Sequence, residues 1–163
     1  MDTDREIVAR QIGREPRAFA RVAVRCPFGK PAVTEQAPYD PTGAPFPTTY
    51  YVTCRHLVAA ISRLEADGGV DRWSAALETD DALRASRDAA DDEQRRIRKA
   101  LAAGNTGVDG GASLESGIGG ASRRGSLKCL HAHGGFALAN PGYELGERIL
   151  AELPQLWPDA CCS

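Results

Sequence analysis

The sequence lacks the features that identify several common classes of protein. Over 163 residues there is no apolar run approaching the roughly 20 residues that cross a bilayer. The 20 lysines and arginines stand against 22 acidic residues, a net charge of −2, so the chain has no basic excess of the kind that dedicated nucleic-acid binders carry. Its first residues are acidic and polar, without the apolar core of a signal peptide. We therefore expect a cytoplasmic protein that binds neither membrane nor nucleic acid.

Several short motifs are also missing. The chain has five cysteines but no Cys-x-x-Cys pair, so the usual spacing of a zinc knuckle is absent. No Gly-Lys-Ser/Thr follows its glycine-rich stretch, as it would in a phosphate-binding P-loop. Ala160 stands fourth from the end, where a prenylation box requires cysteine. We expect the last residues, 158–163, to be disordered.

The patterns that are present predict a single α+β domain over residues 1–163. Alternating and β-branched residues indicate strands at 18–25, 32–36 and 48–53, and a proline-rich loop separates the last two. Helical spacing of apolar residues predicts helices over 2–12, 56–66, 71–77, 79–103, 127–139 and 142–153. We expect a small antiparallel sheet from the N-terminal third to pack against several helices. The glycine-rich segment at about 104–125 is predicted to be flexible.

Three cysteines occupy predicted ends of secondary structure. Cys26 lies in a turn, Cys54 at a strand-to-helix junction and Cys129 at a helix start. Functional groups concentrate where such ends meet. If the three thiols converge, they form a site suited to zinc, or alternatively to an iron–sulfur cluster. If they do not, they are buried structural cysteines.

Two histidines compete as the fourth ligand. If residues 128–133 are fully helical, Cys129 and His133 are four apart and share a helix face. If Cys129 precedes the first helical turn, a pairing of Cys129 with His131 becomes feasible. The sequence leaves both alternatives open, and either histidine paired with Cys129 would also suit a nucleophilic enzyme.

Small and basic residues before the same helix predict an anion-binding site. Exposed backbone N–H groups and the positive end of a helix attract phosphate or carboxylate, although a flexible linker is the simpler interpretation. Arginines next to Cys26 and Cys54 add positive charge. The candidate anion-binding residues are Arg25, Arg55, Gly119, Gly120, Arg123, Arg124 and Lys128.

Six segments together carry a resemblance to a known family. They are Gly13-Arg14-Glu15-Pro16-Arg17, Arg25-Cys26-Pro27-Phe28-Gly29-Lys30-Pro31, Pro45-Phe46-Pro47-Thr48, Tyr51-Val52-Thr53-Cys54, Ser62-Arg63-Leu64-Glu65 and Lys128-Cys129-Leu130-His131-Ala132-His133. From about residue 13 to 146 the chain resembles an uncharacterised, mainly bacterial family catalogued as domain of unknown function 501. The resemblance implies no established activity. It implies a cysteine at each of the three positions and a histidine at His131, whereas His133 matches less regularly and Phe136 stands where the family has a further histidine.

These observations lead to one main hypothesis and two alternatives. The main hypothesis is a metal-binding protein in which Cys26, Cys54, Cys129 and His131 hold zinc or an iron–sulfur cluster, with action on an anionic, phosphate-bearing small molecule. The first alternative is a non-catalytic module that docks a protein partner and whose cysteines are structural. The second is an enzyme with a Cys–His nucleophile.

Overall fold

A small antiparallel sheet forms from the N-terminal third of the chain. The structure, a computed structural model, describes residues 1–121 and 127–162. Strands β1 (Phe19–Arg25), β2 (Pro31–Gln36) and β3 (Tyr50–Val52) pair in the order β1-β2-β3, both times antiparallel. Every residue of β2 is buried, because this central strand has a neighbour on each edge and is covered by other elements. The predicted sheet is confirmed.

Six α-helices lie within the described residues, which confirms the α+β class. They are α1 (Asp4–Ile12), α2 (Arg55–Ala66), α3 (Gly69–Thr79), α4 (Asp81–Ala102), α5 (Leu130–Ala139) and α6 (Glu144–Ala151). Two short 3-10 segments, Ala112–Glu115 and Ile118–Gly120, follow α4. In the described parts of the chain, no helix combines the length and the apolarity that a crossing of the bilayer requires.

Helix α5 is the most deeply buried helix, and its packing against the neighbouring elements fixes the position of its first residues. It packs between β3 and α6, and glycines permit the close approach on both sides. A Cβ atom added at Gly135 would lie 3.0 Å from the carbonyl oxygen of Tyr50, and one added at Gly146 would lie 2.6 Å from that of His133. Close packing on both sides thus fixes the position of α5, and the backbone N–H of its first residue, Leu130, donates to Glu65 at the end of α2.

Helix α4 contributes polar as well as apolar side chains to the interior. Its apolar stripe alone predicts packing through a narrow seam, yet the helix buries Arg87, Asp91, Gln94 and Arg98 as well. Arg87 and Asp91 form an ion pair with an Nε–Oδ2 distance of 2.9 Å, and both side chains are at most 3 % exposed. These residues are spaced so that they share one face of the helix. The helix is therefore bound to its neighbours by polar contacts that periodicity of apolar residues does not reveal.

The glycine-rich segment is folded against this polar face up to residue 121. The backbone N–H of Ile118 donates to Asp91 Oδ1 at 2.8 Å, and Arg98 Nε donates to the carbonyl oxygen of Ser113 at 3.2 Å. Residues 122–126, which include Arg123 and Arg124 of the predicted anion site, lie outside the described residues. The predicted flexibility of 104–125 in solution stays a prediction.

Candidate functional site

Cys129 immediately precedes helix α5 rather than lying within it. It has an extended backbone, with φ −151° and ψ 122°, and occupies the N-cap position. Its thiol therefore does not follow the helical spacing that would direct it to the same face as His133. Instead Cys129 Sγ lies 3.8 Å from His131 Nδ1. Of the two pairings that the sequence left open, the structure forms the one between Cys129 and His131.

Glu65, in the last turn of α2, completes a cluster of three potential metal ligands. Glu65 Oε1 lies 3.0 Å from His131 Nδ1, and Glu65 Oε2 accepts a hydrogen bond of 2.8 Å from the backbone N–H of Leu130. One donor atom each from Glu65, Cys129 and His131 lies within 4.8 Å of the other two. The carboxylate thus contacts the start of α5 and the histidine together. Sequence reasoning missed Glu65, although it ends one of the segments that carry the family resemblance.

The ring of His131 is oriented by two groups on α2. Its Nε2 lies 3.2 Å from the carbonyl oxygen of Val58 and 3.2 Å from Ser62 Oγ. A carbonyl oxygen only accepts hydrogen bonds, so Nε2 carries a proton and donates it. Nδ1 is consequently the nitrogen directed at Cys129 and Glu65, with its lone pair in the direction of both when the ring is neutral.

The surroundings of His131 also shift its pKa. Burial of the ring lowers the pKa, but the hydrogen bond with Cys129 and the negative charge of Glu65 act in the other direction and outweigh it, so the pKa of His131 is raised above its ordinary value. These negative surroundings favour positive charge at Nδ1. A cation of higher charge at the same point would benefit from the same negative surroundings.

A cavity of about 320 Å³ opens beside this cluster. It is lined by Cys129 and His131 together with Ser62 and Val58 of α2, Gly119, Ala132 and residues of β3 and its approach, Thr48, Tyr50, Tyr51 and Val52. The side chains of His131 and Glu65 are 23 % and 26 % exposed. The cluster is thus reachable from a partly enclosed, mostly apolar space of the size of a small-molecule site.

The structure does not bring the other two predicted cysteine ligands to this cluster. Cys26 is buried at the end of β1, where its backbone N–H donates to the Lys30 carbonyl oxygen. Cys54 is buried before the start of α2 and lies beside Cys162, with an Sγ–Sγ distance of 3.6 Å. Glu65 is eleven residues further along the same helix, about 16 Å away at the helical rise of about 1.5 Å per residue. Among the described residues, no group of three potential ligands within this spacing includes Cys26 or Cys54.

The predicted anion-binding residues are also divided between different places. Arg25 contacts both carboxylate oxygens of Asp4, at 2.7 and 3.0 Å. Arg55 donates to the carbonyl oxygen of Arg10 and lines a different cavity. Gly119 lines the cavity beside the cluster, Gly120 follows it in the same 3-10 segment, and Lys128 is exposed next to Cys129. Of the described members, only Gly119 and Lys128 directly adjoin the cavity or its ligands.

His133, the competing ligand, lies in the core. Its Nδ1 is 2.7 Å from the hydroxyl oxygen of Tyr143, and its side chain is fully buried. Burial lowers the pKa of His133 to about 3, and the nearby positive charge of Arg87 acts in the same direction. The ring is therefore neutral in the folded protein at ordinary pH, and it serves packing rather than the cluster.

We expect this buried histidine to make the protein less stable in mild acid. The unfolded chain takes up a proton on His133 below pH about 6.5, whereas the folded protein does so only near pH 3, so the stability falls as the pH decreases between these values. The loss from this residue is about 1.4 kcal/mol per pH unit, or about 2 kcal/mol by pH 5. Urea unfolding at a series of pH values measures it. His133→Asn, which keeps an acceptor for Tyr143, should remove this part of the slope; parallel curves for the two proteins would contradict the expectation.

Comparison with known proteins agrees with the resemblance noted in the sequence. A family model described as "Protein of unknown function (DUF501)" matches residues 22–151. This range includes Glu65, Cys129 and His131 as well as Cys26 and Cys54, but not Cys162. No curated protein matches the chain, and no solved structure does.

Proposed function

We propose that Glu65, Cys129 and His131 bind one divalent metal ion in this chain, which belongs to the DUF501 family of proteins of unknown function. The observation that carries the proposal is the convergence of a carboxylate oxygen, a thiol sulfur and an imidazole nitrogen within 4.8 Å of one another. Ligand atoms lie about 2.0 to 2.3 Å from zinc, so two ligands of one ion are roughly 3 to 4 Å apart. The Glu65–His131 and Cys129–His131 distances of 3.0 and 3.8 Å fall in that range.

The hydrogen bonds around the cluster support this proposal. Histidine ligands of metals almost always donate their second ring N–H to a carbonyl, carboxylate or water, which sets the tautomer and the ring orientation. Val58 and Ser62 do this for His131 Nε2. The second carboxylate oxygen of Glu65 is likewise held by the Leu130 N–H. All these partners are on α2 or at the start of α5, so regular structure positions Glu65 and His131, and Cys129 immediately precedes α5.

The mixture of donors favours zinc over an iron–sulfur cluster. Zinc accepts sulfur, nitrogen and oxygen ligands together, whereas iron–sulfur clusters are held mainly by several cysteine thiolates. The cluster has a single cysteine, because Cys26 and Cys54 lie elsewhere. A divalent ion bound by one carboxylate and one thiolate would give the site a net charge close to zero.

Three protein ligands would leave a fourth position on a zinc ion for water or substrate, which is the arrangement of catalytic rather than structural sites, and two of the three line the cavity. Zinc in such a position supplies a Lewis acid and a bound water of lowered pKa. Gly119 in the cavity wall and exposed Lys128 beside the ligands favour a small anionic molecule, such as a phosphate ester, as the substrate. Thr48 and Ser62 in the lining carry hydroxyl groups that can orient it.

Titration of the metal-free protein with Co²⁺ tests the metal site. We expect one equivalent to bind, with the intense near-ultraviolet band of a thiolate–cobalt bond, and one equivalent of Zn²⁺ to displace it. Cys129→Ser should abolish that band. Loss of a hydrogen-bond partner of a metal ligand lowers metal affinity roughly 10- to 100-fold. We expect zinc affinity to fall by more than this in each of the three ligand variants, Cys129→Ser, His131→Asn and Glu65→Gln.

Cys161→Ser is the matched control, because Cys161 is an exposed cysteine outside the cluster. It should bind cobalt as the unchanged protein does. Glu65→Gln keeps an acceptor for the Leu130 N–H, so its effect reports the charge and not the start of α5. A protein that binds no cobalt, or a thiolate band that survives in Cys129→Ser, would refute the proposed site.

One distance favours a second function, a cysteine nucleophile assisted by His131. The Sγ–Nδ1 distance of 3.8 Å between Cys129 and His131 suits a thiolate–imidazolium pair. Glu65 argues against it, since its carboxylate contacts the same nitrogen and not the opposite one. The same variants distinguish the two functions. If Cys129 is a nucleophile, its alkylation should not depend on metal, and His131→Asn should slow it whereas Glu65→Gln should not. The metal site instead predicts that bound zinc protects Cys129 from alkylation.

A further inference from the structure

Two cysteines outside the candidate metal site lie next to each other in space. Cys54 Sγ and Cys162 Sγ are 3.6 Å apart, although the residues are 108 positions apart in sequence. Cys54 is 2 % exposed, whereas Cys162 is partly exposed. The structure holds both as thiols. The proposed metal site uses neither of them.

The proximity depends on a whole segment rather than on one side chain. After α6, residues 152–162 contact α3 and the start of α2. Glu152 forms an ion pair with Arg72 of α3 at 2.5 Å, and His56 Nε2 of α2 lies 2.8 Å from the Gln155 carbonyl oxygen. Leu156 and Trp157 pack against the hydrophobic core. These contacts bring the segment to the start of α2, where Cys54 lies.

We propose that Cys54 and Cys162 form a reversible intramolecular disulfide that fastens the segment 152–162 to the start of α2. A disulfide has an S–S length of about 2.05 Å, so the sulfur atoms must approach by roughly 1.5 Å when the bond forms. The contacts of Glu152 and Gln155 hold the segment in place before the bond forms. The bond would add a covalent connection to an interface that already exists.

The oxidant in this proposal is a low-molecular-weight disulfide such as oxidised glutathione. The Cys162 thiolate attacks one sulfur of the oxidant, forms a mixed disulfide and releases one small thiolate. Cys54 then loses its proton to solvent and attacks the Cys162 sulfur, which forms the protein disulfide and releases the second small thiolate. Two protein thiols are oxidised and one oxidant disulfide is reduced to two thiols.

The environments of the two thiols set the order of these steps. Burial raises the pKa of the Cys54 thiol to about 11, and the adjacent Cys162 thiol acts in the same direction. Cys54 is therefore a poor first nucleophile and also shielded from the oxidant, whereas Cys162 is accessible. Because the second step needs the Cys54 thiolate, ring closure should become about tenfold faster per pH unit between pH 7 and 9.

Oxidation of the purified full chain with oxidised glutathione tests the proposal. We expect two of the five thiols to be lost, with glutathione released rather than retained. Trypsin does not cleave between Lys30 and Pro31, so the linked product should join peptide 26–55 to peptide 149–163. Cys161→Ser should give the same link, which excludes Cys161 as the partner. A reducing agent should restore both thiols.

Cys54→Ala identifies the second cysteine, because Cys26 is in the same tryptic peptide. In this variant the reaction should stop at a glutathione adduct on Cys162. Cys162→Ser is a small change at a partly exposed position and should leave Cys54 unmodified, which keeps the test valid if Cys54→Ala folds poorly. A stable glutathione adduct on Cys162 of the unchanged protein, or a link from Cys162 to Cys161 or Cys26, would overturn the proposal. None of these outcomes depends on whether zinc binds at Cys129.

Discussion

Replacing Asp91 with asparagine is expected to lower the free energy of unfolding by about 3 to 5 kcal/mol, because it leaves the charge of Arg87 buried without its carboxylate. Both side chains are almost completely inaccessible, and the Nε–Oδ2 distance is 2.9 Å. Asparagine keeps an oxygen that can accept from the Ile118 N–H, as Asp91 Oδ1 does at 2.8 Å. The change therefore keeps the contact with Ile118 and removes both the charge and the acceptor of Arg87 Nε. Urea unfolding at pH 7 measures the effect.

Asp92 is the matched control for this substitution. It neighbours Asp91 on the same helix and also pairs with an arginine, Arg95, at 2.8 Å, but its side chain is 63 % exposed. Exposed pairs of this kind contribute about 0 to 1 kcal/mol, so Asp92→Asn should change stability little. Adding Arg87→Met to Asp91→Asn should recover part of the loss, because the buried charge is then removed as well. Equal effects of Asp91→Asn and Asp92→Asn would show that the buried pair is not important for stability.

The same pair links the fold to the candidate site. Asp91 holds Ile118, and the next residue, Gly119, lines the cavity beside Cys129 and His131. Little space remains there, since a Cβ added at Gly117 would lie 2.7 Å from Asp91 Oδ1. A substitution of Asp91 can therefore alter the cavity wall at Gly119 through its hydrogen bond with the Ile118 N–H. The charges of α4 are part of what shapes the site, although none of them contacts the ligand cluster.

Most helices and strands could be predicted from the sequence because their signals are local. Helix α1 begins after Thr3, whose side chain accepts from the Glu6 N–H while Glu6 accepts from the Thr3 N–H, and it ends at Gly13 with φ 74°. The start of α5 was predicted three residues too early. Leu127 continues the apolar pattern of the helix, so periodicity does not reveal that Cys129 is still extended. That difference decides which histidine pairs with Cys129.

The composition of the candidate site depends on contacts that no local pattern contains. Glu65 occupies a polar position at the end of α2, and only the packing of α5 against this helix gives it Cys129 and His131 as neighbours. The junction of Cys54 between strand and helix was predicted, but its neighbouring thiol belongs to a segment 108 residues away. Three cysteines at element ends suggested one site. The structure instead places Cys54 before the start of α2 and Cys129 beside Glu65, in the last turn of the same helix, so the two thiols lie near opposite ends of α2.

The burial of Arg98 could not be predicted from the sequence either, and its replacement is the second change that we expect to reduce stability strongly. In a helix dense in charge it resembles a solvent-facing residue, yet its side chain is completely buried. Its Nη1 donates to the carbonyl oxygens of Phe46 and Pro47, at 3.0 and 3.4 Å, and its Nε to that of Ser113 at 3.2 Å. One guanidinium thus connects the proline-rich loop to the segment after α4, and burial lowers its pKa.

Arg98→Met is therefore expected to destabilise the protein by about 2 to 4 kcal/mol. Methionine fills much of the same space but leaves the carbonyl oxygens of Phe46 and Ser113 without their donor, at about 1 to 3 kcal/mol for each buried group, and removal of a buried charge offsets part of this. Arg96→Met is the control, since Arg96 pairs with Glu93 on the exposed side of α4. Urea unfolding should separate the two variants, and chymotrypsin should cleave after Tyr39 faster in Arg98→Met, because the loop loses its connection to α4. Equal stability and equal resistance to chymotrypsin in the two variants would contradict this expectation. The loop would then be held by its own turns and by the hydrogen bond between Tyr39 and Asp109, and its carbonyl oxygens would not require Arg98.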